Sequence, residues 1–265
     1  MKIFVFKKNN IVIYSLIAVL TVGLISYNLL YTNSEPTVSR SNVEKNLPVY
    51  CVENDKKQVA ITFDCAWEDK DTDQILSVLG KYKAKATFFA VGEWLDRCES
   101  SAKKINKAGH ELMNHSNQHT YPTKQSKEDL LADIESCSLK IEKITGQKPT
   151  LYRAPAGDYN DTVIKTVKAA GYQTVQWSVD SLDWKNLSSD EIYNRIIEKT
   201  KSGDILLFHT GVKNTPAALE KVLNKLSSEG YTFVPASELI LKDNYVIDAN
   251  GKQKATEPTV METFE

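Results

Sequence analysis

The chain lacks an excess of either charge. Its 265 residues hold 33 lysines and arginines against 34 aspartates and glutamates, a formal net charge of −1 at pH 7. With no basic stripe it carries no electrostatic footprint for nucleic acid, so that class of partner is set aside. Cysteine is scarce as well: four in all, none in a C-x-x-C pair, which removes the dithiol redox motif and the paired-thiolate zinc ribbon. No internal repeat is visible, so a solenoid is not expected. Length and composition instead suit one globular domain with appendages.

The first appendage is the stretch from Ile11 to Tyr31, which contains no charged residue and follows Lys2, Lys7 and Lys8. As a helix rising about 1.5 Å per residue it would span a hydrocarbon core of roughly 30 Å. The lysines predict a cytoplasmic amino terminus at 1–10, a signal anchor at 11–31 and export of everything beyond. A cleaved signal peptide is the rival reading, although an A-x-A-like site is missing. Residues 32–56 are expected to be a linker and entry segment, polar and carrying Pro36 up to Leu47. Residues 57–241 form the domain, and 242–265, poor in large apolar residues, are expected to be a flexible tail.

Within the domain, short apolar runs alternate with helical patterns, which predicts an α/β fold with parallel strands. Strands are expected near 58–64, 86–91, 110–115, 151–154, 174–179, 204–208 and 232–235. Ser126 with Asp129, and Ser188 with Glu191, have the spacing of helix-opening capping boxes. Thr215-Pro216 opens a further helix that Gly230 closes, and Gly171 ends one that begins near Asn160. Seven strands with helices between them suit a barrel, with an open sheet as the alternative. Cys98, on a stripe with Leu95, Ala102 and Ile105, and Cys137, on one with Ile134 and Ile141, read as buried small hydrophobes or as a bridge between neighbouring helices.

Several apolar runs end on a titratable group: Asp64, the pair Asp180 and Asp183, and His209. Polar groups at the carboxyl ends of several strands are how parallel barrels assemble a site. His115 and His119, four apart just after an apolar strand, would meet one metal ion if the segment made a helical turn. A bare H-x-x-x-H alone favours a structural or solvent-facing pair, and its place just after the strand 110–114 turns the reading towards metal. His110 lies on the other phase of that strand and reads as structural. Arg153 would hold Asp64 charged through a forked ion pair, against the plainer reading of a surface pair. Pro155 and Gly157 shape a loop whose backbone donors would face an oxyanion.

Thr62-Phe63-Asp64, His115-Ser116-x-x-His119, Arg153-x-Pro155-x-Gly157, Asp180-x-x-Asp183-Trp184 and Leu207-x-His209 resemble, in order and approximate spacing, the five motifs of polysaccharide deacetylases. This is the NodB-homology domain of carbohydrate esterase family 4, and the resemblance covers about residues 57–240. It implies a distorted (β/α)7 barrel that removes acetyl from N-acetylated sugars with a divalent metal, zinc first. It further implies Asp64 as general base, His115 and His119 as metal ligands, His209 as general acid tuned by Asp183, and Arg153 orienting Asp64. The backbone near Ala156 would help the oxyanion, and Leu207 with Trp184 would line the acetyl pocket, ordinary core being the alternative for both.

One position departs from the pattern: where the family motif has a second, metal-binding aspartate, this chain has Cys65. Either the thiolate is a ligand, or Glu68 or Asp69 substitutes, or the metal is held weakly or not at all. Ala156 also replaces the usual aromatic of the third motif. The expected protein is therefore a monomeric, membrane-anchored, extracytoplasmic deacetylase of a cell-wall glycan. A catalytically lapsed glycan-binding module and an O-acetyl esterase are the alternatives.

Overall fold

The structure, a computed structural model, describes residues 46–256. The predicted cytoplasmic terminus, the anchor at 11–31 and most of the linker lie outside the described residues. Among the described residues no helix is long and apolar enough to cross a membrane.

Strand β2 (Gln58–Cys65) is the centre of the fold. It pairs in parallel with β3 (Ala86–Ala90) on one side and β8 (Ile205–His209) on the other, and its first residues also pair with β9 (Thr232–Phe233). Beyond β3 come β4 (Glu111–Asn114), β5 (Leu151–Tyr152) and β6 (Gln173–Thr174); beyond β8 comes β7 (Val179–Asp180). All these pairings are parallel, which requires helical crossovers and buries the strands on both faces. The odd residues of β2, Val59, Ile61, Phe63 and Cys65, pack under the helices α1 (Thr72–Lys81) and α7 (Thr215–Ser228). On the other face Ala60 joins Phe89, Met113 and Ile205 inside the curl of the sheet, which Ala236, Leu239 and Ile240 plug from below.

The single strand expected at 174–179 is two. β6 and β7 sit at opposite ends of the strand order, yet only Val175–Ser178 separates them in sequence. So short a link holds the two edges of the sheet close together. No ladder joins β6 to β7 among the described residues, and Val49 bridges to Val175 in the gap. The sheet is thus a curled, incompletely closed barrel.

The helices follow their caps. Ser126 Oγ accepts from Asp129 N at the start of α4 (Lys127–Thr145), Asn160 caps α5 (Asp161–Ala169), and Ser188 with Glu191 completes a capping box on α6 (Ser189–Ile197). Such a side chain satisfies one of the orphaned amides of the first turn and contributes about 1 kcal/mol. The helix expected through Cys98 is broken there, into α2 (Gly92–Arg97) and α3 (Glu99–Lys107), because Cys98 leaves helical geometry at ψ 31°. Cys98 and Cys137 are free thiols, as are Cys51 and Cys65, so the bridge between helices does not form.

The segment after Lys242 is not a flexible tail over its described part. β10 (Tyr245–Ile247) and β11 (Lys252–Ala255) form an antiparallel hairpin, and β11 pairs in parallel with β1 (Cys51–Val52). The hairpin is held by its ladder and by buried Gln253, whose carboxamide accepts from Leu241 N and donates to Leu241 O. Hydrophobic content, on which a tail was expected, does not register such polar pairing.

Candidate active site

Parallel register brings the ends of β2 and β8 level: Asp64 is aligned with His209, and Thr62 with Leu207. Alternation puts Thr62 and Asp64 on the inner face, opposite Phe63 and Cys65. Fully buried Arg153, just beyond β5, reaches across the interior. Its Nη1 donates to Asp64 Oδ1 at 2.8 Å and to Thr62 Oγ1 at 3.0 Å, and its Nη2 to the Gln176 carbonyl at 3.0 Å. Phe89 packs against the guanidinium, 4.0 Å from ring centroid to Cζ. A buried guanidinium is tolerated when its donors are taken in this way.

Burial by itself would raise the Asp64 carboxyl, but the charges of His115, Arg153 and His209 and the Arg153 hydrogen bond outweigh it and leave the group below the usual carboxylate range. His115 is pushed down to about 4 by burial, so it is neutral near pH 7. Arg153, with His209 beside it, is then what keeps Asp64 low.

His115 is buried and its Nδ1 donates to the Arg153 carbonyl at 2.8 Å. That bond fixes the tautomer and leaves the Nε2 lone pair, 3.4 Å from Asp64 Oδ2, pointing into the site. The segment from His115 to His119 is not the helical turn expected. It is a loop in which Ser116 and His119 take positive φ (72° and 58°), tied down where Asp133 of α4 accepts from the amides of Asn117 and Gln118. The two imidazole rings nevertheless stand 5.1 Å apart, edge to face.

On the other side, His209 Nδ1 lies 2.7 Å from Asp183 Oδ1. Asp183 is buried and also accepts from His209 N and Thr215 Oγ1. Burial would lower the His209 pKa; the hydrogen bond to Asp183 and its charge more than offset this and raise it. The arrangement suits an imidazolium whose Nε2 can release a proton.

His115 and His119 supply two imidazole donors of the kind zinc accepts, whereas a catalytic zinc site takes three protein ligands. No group of three or more His, Cys, Asp or Glu side chains able to hold a metal ion is assembled among the described residues. Cys65 is part of the helix-side core cluster, on the opposite phase of β2 from Asp64, and burial pushes its thiol well up. Glu68 pairs with Lys70 and Asp69 accepts from Ser101, so neither visibly replaces it.

Leu207 is buried on the inner face, while Trp184, beside Asp183, is half exposed. Ala156 has left-handed backbone (φ 53°) in the turn that ends at Gly157. Three polar residues join the site for which no role is read from the sequence: Asp133, Thr62 and Asn114, whose Oδ1 accepts from Ser116 N. Alternation from Asp64 points to Thr62; nothing in the sequence pointed to the others. Trp67 joins the site in the same way: its ring lies 5.5 Å from that of His209 and 6.5 Å from that of His119.

A family model for polysaccharide deacetylase matches residues 52–175. The chain is 43% identical over 194 residues to a peptidoglycan-N-acetylglucosamine deacetylase of Bacillus cereus, covering 71% of this chain and 91% of that protein. It is 32% identical over 206 residues to a peptidoglycan-N-acetylmuramic acid deacetylase of Bacillus subtilis, covering 76% and 78%. Among solved structures, a CE4 family pseudoenzyme from Bacillus anthracis superposes with a TM-score of 0.69 at 33% identity, over 72% of this chain and 68% of that one. A mutant of that pseudoenzyme is described as having restored enzymatic activity. With its curled parallel sheet and this sequence likeness, the chain belongs to the polysaccharide deacetylase family, hydrolases of the N-acetyl amide bonds of polysaccharides.

Proposed function

We propose that this protein removes acetyl groups from the N-acetylated sugars of peptidoglycan, working outside the membrane to which residues 11–31 anchor it. The observation that carries the reading is the alignment of Asp64 with His209 across one ladder, the first paired with buried Arg153 and the second with buried Asp183. A module that only bound glycan would need neither buried pair. Acting on peptidoglycan is what the names of the Bacillus relatives support.

Asp64 takes a proton from the attacking water as its oxygen bonds to the acetyl carbon. The oxyanion meets the backbone amide at Ala156, and Leu207 and Trp184 line the acetyl methyl pocket. His209 Nε2 then gives its proton to the amide nitrogen as the carbon–nitrogen bond breaks, leaving acetate and a free amine. A divalent cation, zinc by the preference of imidazole donors, would be held by His115 and His119 and would supply carbonyl polarisation and a more acidic water.

One observation favours a second reading, a lapsed glycan-binding module: the third ligand position is Cys65, which faces the helices. Acetate release and zinc content, measured on the purified full-length protein with N-acetylglucosamine oligomers and with O-acetylated glycan, decide among the readings. Acetate from the oligomers supports the deacetylase; acetate from the ester alone supports the esterase. Oligomer binding without any release supports the lapsed module. Protease treatment of wall-stripped cells tests the anchor, and an intact domain recovered in the cytosol overturns it.

A further inference from the structure

Trp67 is a large apolar side chain with 51% of its surface exposed, and it stands over the two functional sides of the site. Its ring is 5.5 Å from His209 at 36° and 6.5 Å from His119 at 54°. The backbone that carries it is clamped. Arg97 Nη2 donates to the carbonyls of Ala66 (3.1 Å) and Trp67 (3.3 Å). Gly211, two residues past His209, lets the chain at Glu68 come so close that a Cβ there would lie 2.8 Å from the Glu68 carbonyl oxygen. Asp71 accepts from Gly211 N at 2.7 Å and fixes the same contact from the other side.

A backbone clamped this way is ordered before any ligand arrives, so contact with the indole it carries costs less entropy than contact with one on a loose loop. Its exposed face is apolar, and the matching surface on an N-acetylated glycan is the C–H face of a pyranose ring. We infer that Trp67 is a substrate-binding residue, a platform on which one sugar ring stacks so that its acetamido nitrogen is directed at His209. The inference rests on the proposed glycan substrate. It adds that affinity for the polymer depends on this side chain.

The test uses the full-length protein, Trp67→Ala and Trp67→Phe, with an N-acetylglucosamine tetramer. Trp67→Ala should weaken tetramer binding by about tenfold or more, the loss of one aromatic anchor. Trp67→Phe should recover part of the binding, which a merely structural role would not require. In the wild-type protein the tetramer should shield Trp67 from oxidation by N-bromosuccinimide, mapped by peptide mass spectrometry, a readout that needs no variant to fold. Binding is measured apart from hydrolysis: a protein that binds the tetramer through Trp67 but releases no acetate upholds the platform and fails the deacetylase. Equal affinity in wild type and Trp67→Ala, no shielding of Trp67, or no tetramer binding by the wild type overturns the inference.

Discussion

Asp64 and His209 stand side by side on neighbouring parallel strands, aligned Cα to Cα, and each is backed by a buried charged partner. Arg153 stands behind the first and Asp183 behind the second. Neighbouring strands run about 4.8 Å apart, so a carboxylate and an imidazole are presented to the same small volume by backbone pairing alone.

Asp64→Asn and His209→Ala should each cut acetate release by roughly two to four orders of magnitude, the usual range for a general base or acid. Circular dichroism should show the fold intact in both. Near wild-type turnover in either variant would remove that residue from its role.

The pH profile of kcat/KM should be a plateau bounded by these two groups. Asp64, held below the ordinary carboxylate range, sets the acidic limb; His209, raised above 6.5, sets the alkaline one. Asp183→Asn removes what favours the imidazolium, so the alkaline limb should move to lower pH. An unmoved limb assigns it to another group.

Much of this was legible beforehand, and the reason is local. A capping serine must face the amide three residues on, so Ser126 and Ser188 fixed their helices; a buried parallel strand must be continuously apolar, so β2, β3 and β8 stood out. The six titratable residues that meet in the site are strand-end or loop residues next to such runs. What escaped depends on distance in sequence. The split at Val175–Ser178 comes from the closing of the curled sheet, the loop geometry at His119 from Asp133, and the hairpin from backbone pairing with β1. The outward face of Cys65 was available in principle, because it is the opposite phase from Asp64.

Arg153→Ala should destabilise the protein by roughly 3–5 kcal/mol in urea unfolding, since it strands a buried carboxylate. Arg153→Lys should recover little: one ammonium cannot serve Asp64, Thr62 and the Gln176 carbonyl from the guanidinium's fixed fork. Stability within about 1 kcal/mol of wild type for Arg153→Ala would contradict the burial described.

Cys65→Ala should leave zinc content unchanged and cost about 1–3 kcal/mol of stability, because it deletes a buried sulfur from the layer beneath the helices. Metal analysis after dialysis and a thermal melt measure the two separately. Loss of zinc together with activity would show instead that the thiolate turns inward.

The pairing of β11 with β1 joins the last described strand to the first. A chain emerging amino end first must therefore wait for its final strand before that ladder can form, and contacts so remote in sequence are slow to close. Until then β1 is an unpaired edge and the buried amide of Gln253 has not yet met Leu241. A version shortened at Lys242 would stay in that unfinished state, with Asp64, Arg153 and His209 all encoded and an open strand edge inviting association with its neighbours.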